Sequence, residues 1–202
     1  EAAICRGQMV GQLRVGMVPL ASLNPMQLIK PLAEKYPALQ FSLLSMTSEQ
    51  IIDGVSRNQL DLGICYLQHL DERLFKIARL PQTRMGLLHD KRHFDFSAGT
   101  PGWDTLAALP LGFLTKGMYY RESIEISFKA KGLTPTSVFE SDSTFQIIQA
   151  VQAGICCAIM PLNNGLEALS DNLEILPIAE SQVDSHLALI MRQQEPVTSL
   201  AE

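Results

Sequence analysis

The sequence predicts a two-lobed α/β protein whose Rossmann-like lobes are joined by crossing strands. The first observation is a repeat: QIIDGVSRNQLDLGIC at Gln50–Cys65 and QIIQAVQAGIC at Gln146–Cys156 carry nearly the same phrase. The second is that apolar runs typical of buried strands alternate with amphipathic helix patterns around both copies. Such alternation predicts mostly parallel sheets covered by helices on both faces. Its duplication predicts two lobes.

The first unit is predicted as strand, helix, strand, helix, strand. Its strands are predicted at Leu13–Val18, Leu39–Ser45 and Leu60–Leu67. Asn24 as N-cap and Pro25 in the first turn begin a helix that runs to about Tyr36, where Pro37 stops it. The second helix starts with a capping box at Thr47–Gln50. Its apolar stripe consists of Ile51, Ile52 and Val55.

The second unit follows the same order. Its strands are predicted at Leu111–Thr115, Thr136–Ser141 and Gly154–Pro161. A helix is predicted over Met118–Lys131, with Ile124 and Phe128 on one face and Gly132 as its stop. Ser143–Gln146 again has the pattern of a capping box. The stripe of the first unit is repeated by Ile147, Ile148 and Val151.

One pair of strands follows each unit, which suits two crossings of the chain between the lobes. These strands are predicted at Leu74–Leu80, Thr83–His89, Leu173–Ile178 and His186–Arg192, and His89–Trp103 is predicted as a polar loop. Ligands in open α/β sheets bind beyond the carboxyl ends of strands, near helix N-termini. We therefore expect both sets of helix starts to line one ligand cleft.

Composition excludes several classes of function. The chain has 202 residues, of which 47% are hydrophobic and 18% charged, as in ordinary globular proteins. Its net charge of −5 gives this chain no electrostatic footprint for nucleic acid. No apolar run reaches the length of a membrane span. The start lacks a signal-peptide pattern and an initiator Met, so we expect a fragment or a processed product.

Candidate reactive residues have ordinary structural explanations. Cys65, Cys156 and Cys157 lie in apolar runs, which predicts buried core thiols typical of the cytoplasm rather than a redox switch. Motifs of serine hydrolases, zinc proteases and P-loop proteins are absent, so no enzyme, cofactor or metal is predicted. His89 and His93 stand in a charged, turn-rich stretch, which favours a solvated loop over a metal site.

Three segments together resemble the effector-binding domain of LysR-type transcriptional regulators. They are GQLRVGMV at 11–18, EKYPALQFSLLSMTSEQIIDGVSRNQLDLGI at 34–64 and VQAGICCAIMP at 151–161. TLAALPLGF at Thr105–Phe113 adds to the match, which covers about residues 11–192. Gln59 and Cys156 stand where the family commonly has Gly.

The resemblance implies a type 2 periplasmic-binding-protein fold. Residues 1–10 would end a linker helix, residues 11–82 and 184–202 would form lobe I, and residues 83–183 would form lobe II. It also implies a cytoplasmic transcriptional regulator whose DNA-binding domain is absent from this chain. Side-by-side homodimers, and tetramers of the full-length protein, are expected. The alternative hypothesis is a secreted solute-binding protein of the same fold. An enzyme built on this fold is a third.

By position, the resemblance places ligand contacts in four loops. The residues concerned are Leu20, Ser22, Met46, Thr47, Ser48, Thr115, Lys116, Ser141 and Ser143. Hydroxyls beside helix starts favour an anion, because free backbone N–H groups point there. For Thr47 and Ser143, capping alone explains the residue equally well. Leu20 and Met46 make the entrance of the cleft partly apolar. We therefore expect a small carboxylate with an apolar portion as the effector.

Overall fold

The computed structural model describes residues 11–67, 70–182 and 186–193. The predicted end of a linker helix at residues 1–10 lies outside the described residues, as does Cys5. The chain divides into two compact units. One runs to Leu80 and resumes at Leu187, and the other runs from Pro81 to His186.

The described part of the chain contains ten strands and five α-helices, along with short 3-10 turns. The strands are β1 Gly11–Met17, β2 Leu39–Ser45, β3 Leu62–Tyr66, β4 Phe75–Arg79, β5 Arg84–Asp90, β6 Pro110–Leu114, β7 Thr136–Ser141, β8 Cys157–Pro161, β9 Leu173–Gln182 and β10 Leu187–Arg192. The helices are α1 Met26–Lys35, α2 Ser48–Ser56, α3 Trp103–Ala108, α4 Tyr119–Lys129 and α5 Thr144–Gln152.

The two units share one topology, which confirms the duplicated α/β architecture. The first sheet has the order β2-β1-β3-β10-β4, and the second has the order β7-β6-β8-β5-β9. In each sheet the first three strands are parallel, and the fourth strand is antiparallel to its neighbours. Each sheet is therefore mixed. The fourth strand belongs to the segment of chain that arrives from the other unit.

One helix packs very closely on each sheet. A Cβ atom built on Gly63 of β3 would lie 2.5 Å from Ile51 Cγ2 and 3.2 Å from Val55 Cγ2, both on α2. A Cβ on Gly112 of β6 would lie 2.8 Å from Cys156 Sγ and 3.7 Å from Ile147 Cγ2 of α5. Gly63 thus admits the stripe of α2, and Gly112 makes room for the Cys156 thiol. The stripe residues that belong to the core are Ile51, Val55, Ile147, Ile148 and Val151.

Helix ends follow the predicted chemistry at several points. Asn24 Oδ1 accepts from the Met26 N–H at 3.0 Å, while Pro25 already has helical backbone angles. Gly132 has φ +69° at the end of α4, where the Leu133 N–H donates to the Phe128 carbonyl. This six-to-one bond is the Schellman arrangement that favours glycine.

One prediction for the segment from His89 to Trp103 was wrong, and one helix at its end was missed. His89 is not in a solvated loop: it belongs to β5 and is only 1% exposed, with its ring edge against Phe96 at a centroid distance of 4.8 Å. The neighbouring Asp90 is also buried and pairs with Arg92. The segment also contains the short helix α3, which the sequence did not predict.

Candidate functional site

In the first unit the candidate loops extend from the carboxyl ends of β1 and β2. The Met46 N–H donates to the Met17 carbonyl and the Val18 N–H to the Ile64 carbonyl, both at 3.0 Å, so these strand ends are held together. Leu20 is 9% exposed and has φ +57°. That backbone conformation is unfavourable for a branched residue, so the loop is a strained feature of this edge.

The hydroxyls after β2 have structural partners. Thr47 Oγ1 accepts from the Gln50 N–H at 3.2 Å, and Gln50 Oε1 accepts from the Thr47 N–H at 3.0 Å, which confirms this capping box. Ser48 Oγ accepts from the Tyr66 N–H at 3.1 Å and so ties the start of α2 to the end of β3. Each hydroxyl still has its proton to donate.

In the second unit, backbone and serine groups link the candidate loops. The Thr115 N–H donates to the Ser141 carbonyl at 3.2 Å, and the Ser143 N–H donates to Ser141 Oγ at 3.1 Å. Ser143 Oγ accepts from the Gln146 N–H at 3.4 Å. The second capping box was therefore only half right, because the Ser143 N–H bonds Ser141 instead of the Gln146 side chain.

The start of α4 has no side-chain cap, in contrast to the starts of α2 and α5. The residue before α4 is Met118, which supplies no side-chain acceptor to the first turn. The loop that leads into it contains the exposed Lys116 and Gly117, which has φ +95°. Lys116 forms no ion pair with any described residue. An uncapped helix start beside an unpaired cation is suited to a carboxylate.

Arg121 is a buried cation next to this loop that sequence reasoning missed. It is 5% exposed and donates to the Leu114 carbonyl at 2.5 Å. It also pairs with Glu140 at 2.8 Å and with Glu125 at 3.0 Å, and its guanidinium lies 4.7 Å from the centre of the Phe113 ring. Arg121 thus holds the start of α4 against the ends of β6 and β7. The only signal in the sequence was the four-residue spacing of Arg121 and Glu125.

The cysteine thiols are buried as predicted and unsuited to redox sensing. Cys65, Cys156 and Cys157 are free and fully buried. Burial raises the pKa of Cys65 to about 12, of Cys156 to about 11 and of Cys157 to about 12. A reactive thiol needs the opposite shift of its pKa.

The described residues contain no cluster that could hold a metal ion, and His93 bonds the Gln152 carbonyl at 3.1 Å. Among the helices described, none is long and apolar enough to cross a membrane. Within each unit, then, the predicted residues lie on adjoining loops at the carboxyl edge of the sheet.

Comparison with known proteins gives one consistent result. The family model described as the LysR substrate binding domain matches residues 6–202. Full-length CbnR in complex with its target DNA has 18% sequence identity and a TM-score of 0.71, with 96% of this chain and 67% of that chain covered. HinK from Pseudomonas aeruginosa, a LysR family transcriptional regulator, has 21% identity and a TM-score of 0.71, with 95% and 68% covered.

The effector binding domain of a BenM variant has 18% identity and a TM-score of 0.70, with 93% of this chain and 88% of that chain covered. At these identities the structural likeness establishes the fold.

Proposed function

The chain belongs to the LysR substrate binding domain family, and we propose that it senses a small-molecule effector for a DNA-binding transcriptional regulator. DNA contact would belong to a part of the regulator outside this sequence, in keeping with the net charge of −5 here. A cytoplasmic location is proposed on the same grounds, because transcriptional regulators act there. We expect no catalytic turnover from this chain.

The start of α4 carries the proposal that the effector is a small carboxylate. Side chains cap the starts of α1, α2 and α5 through Asn24, Thr47 and Ser143. The start of α4 has no such cap and stands beside Lys116. We propose that the carboxylate binds at Thr115–Lys116–Gly117, with Ser141 and Ser143 on the adjoining loop. Leu20, Ser22, Met46, Thr47 and Ser48 complete the proposed ligand contacts.

A thermal-shift screen of small carboxylates tests this proposal. A ligand at 100 times its dissociation constant stabilises the folded state by about 2.7 kcal/mol. We expect a hit to lose this effect in Lys116→Gln, while Lys129→Gln, a change of an exposed lysine at the other end of α4, keeps it. A hit that both variants bind as tightly as the parent would place the site elsewhere.

A secreted solute-binding protein remains the alternative. Family membership favours the regulator, and buried free thiols favour a reducing compartment. The genomic sequence upstream separates the two hypotheses. A helix-turn-helix region supports the regulator, and a signal peptide supports the solute-binding protein.

We further propose that the chain forms a side-by-side homodimer. Exposed apolar side chains lie on the α1 and β2 layer of the first unit and on the α4 and β7 layer of the second. They are Met26, Leu43 and Leu44 in the first unit and Ile126 and Val138 in the second. A two-fold axis can pair two such surfaces reciprocally.

Ile29 of α1 and Phe128 of α4 would be suitable side chains for testing this dimer only if they faced outward. They are 8% and 0% exposed and belong to the core, so charging them would unfold the protein. Ile126→Glu is the suitable change, because Ile126 is 61% exposed. Sedimentation velocity should show a weaker dimer in this variant and an unchanged dimer in Leu169→Glu, which alters an exposed leucine outside both layers. A parent that stays monomeric at high concentration would exclude the dimer.

A further inference from the structure

The loop after β8, residues 162–165, lies at the same edge of its sheet as the proposed carboxylate site. β6 pairs in parallel with β7 on one side and with β8 on the other. The carboxyl ends of the three strands therefore meet at one edge, which is where open α/β sheets bind ligands. Thr115 and Lys116, which follow β6, thus have Ser141 at the end of β7 on one side and this β8 loop on the other.

Contacts with β5 and a left-handed glycine fix the course of the β8 loop. The Leu162 N–H donates to the Arg84 carbonyl at 2.9 Å. Leu162 also lies close over Gly86, since a Cβ atom built there would stand 2.5 Å from Leu162 Cδ2. At the other end Gly165 has φ +77°, a conformation that favours glycine, and a 3-10 turn follows it. Asn164 is held between these two fixed ends.

The side-chain amide of Asn164 has a partner on only one of its two polar atoms. Its Oδ1 accepts from the Leu166 N–H at 3.2 Å. Its Nδ2 is buried and has no hydrogen-bond partner among the described residues. Burying a donor without a partner is unfavourable, and few polar groups in folded proteins are left in that state. The amide nitrogen therefore lacks an acceptor in the ligand-free chain.

A carboxylate beside Lys116 supplies such an acceptor. Each carboxylate can accept several hydrogen bonds, and an amide NH2 group can donate two. The residue Asn164 as a whole is only half-buried, so its side chain can turn to another rotamer. This turn exchanges the bond from the Leu166 N–H for bonds that pair Nδ2 with a charged acceptor, which are the stronger kind.

We propose that Asn164 donates from Nδ2 to the carboxylate of the effector, next to Lys116. The proposal rests on the carboxylate site put forward above and adds a third loop to it. Because Nδ2 gains its acceptor only when the ligand is present, the β8 loop changes conformation as the site fills.

NMR of the ¹⁵N-labelled chain, titrated with sodium acetate at constant ionic strength, tests this contact. We expect the side-chain amide of Asn164 and the backbone amide of Gly117 to shift with the same acetate dissociation constant. Neutral acetamide should shift neither of them. The side-chain amide of the exposed Asn163 is the internal control and should stay unmoved.

Variants separate the amide donor from the turn that Asn164 forms. Asn164→Asp removes the donor and keeps an acceptor for the Leu166 N–H, and Asn164→Ala removes the donor without adding charge. Both should weaken acetate binding, read at Gly117, by at least about tenfold. Asn163→Gly, which suits the φ of +67° at that position, should keep parent affinity. Thermal melts verify that each variant is folded.

The outcomes distinguish this inference from the function on which it rests. Acetate shifts at Gly117 with an unmoved Asn164 amide, or parent affinity in folded Asn164→Ala, would overturn the role of Asn164 and leave the carboxylate site standing. Shifts at Asn164 without any at Gly117 would contradict a shared site. No shift at either position in excess acetate would contradict both proposals.

Discussion

Replacing Arg121 by Met removes a buried guanidinium while keeping most of its apolar stem. Its partners Glu125 and Glu140 are 42% and 44% exposed, so each ion pair contributes at most about 1 kcal/mol. Without Arg121 the buried Leu114 carbonyl loses its hydrogen-bond donor, which lowers the free energy of unfolding by about 1–3 kcal/mol. The lost contact over Phe113 costs about 0.5–1 kcal/mol. Because neighbouring contributions do not simply add, we expect the free energy of unfolding to fall by about 2–4 kcal/mol.

Urea unfolding of Arg121→Met and Arg57→Met measures this difference. Arg57 pairs with Asp53 on the surface of α2, with side chains 68% and 55% exposed, so its loss should cost less than about 0.5 kcal/mol. Arg121→Lys should fall between the parent and Arg121→Met, because it keeps the charge without the planar donors. Equal destabilisation in Arg121→Met and Arg57→Met would refute the anchoring role of Arg121.

Three further predictions concern single side chains. Arg92 holds the pKa of Asp90 below its ordinary value. The carboxylate therefore stabilises the fold above about pH 3.9, and this effect is lost as the pH falls through the lower folded-state pKa. Below pH 4 the urea midpoint of Asp90→Asn should fall less than that of the parent, and parallel curves for the two proteins would contradict this. Cys156→Ala should lower stability by about 1 kcal/mol in thermal melts and leave effector affinity unchanged. If a reporter gene responded to peroxide with the parent protein and not with this variant, a redox role for Cys156 would be supported instead. Thr47→Ala should cost about 1 kcal/mol in urea unfolding and Ser143→Ala clearly less, because the Ser143 cap is longer at 3.4 Å; equal losses would count against this ranking.

Local sequence patterns predicted the fold correctly where neighbouring residues alone determine the structure. Continuous apolar runs located the strands and amphipathic stripes located the helices, and Thr47 with Gln50 formed the expected reciprocal cap. The same pattern at Ser143 formed only half, because Ser141 lies within reach of the Ser143 N–H. A four-residue capping pattern does not include Ser141, which lies before it and competes with the Gln146 side chain for the Ser143 N–H.

Residues whose role depends on distant partners could not be predicted. Arg121 on a helix is expected in water, yet Glu140 and the Leu114 carbonyl from the sheet make its burial favourable. His89 ends a predicted strand and precedes four charged or polar residues, which favoured a solvated loop, so its burial against Phe96 was not foreseen. Phe128 was predicted on the apolar face of α4, but its partner Trp103 lies on α3, which the sequence did not predict.

The central claim is that the effector binds at the strand-end loops of both units. Calorimetric titration of an effector identified in the carboxylate screen into Ser22→Ala, Thr115→Ala and the control Ser127→Ala tests it most directly. Ser127 donates to the Ser123 carbonyl on α4 and lies outside the candidate loops. Losing a hydroxyl that bonds a charged ligand costs about 1.5–3 kcal/mol, so Ser22→Ala and Thr115→Ala should each bind roughly 12- to 150-fold more weakly. Parent-like affinity in all three variants would contradict the claim.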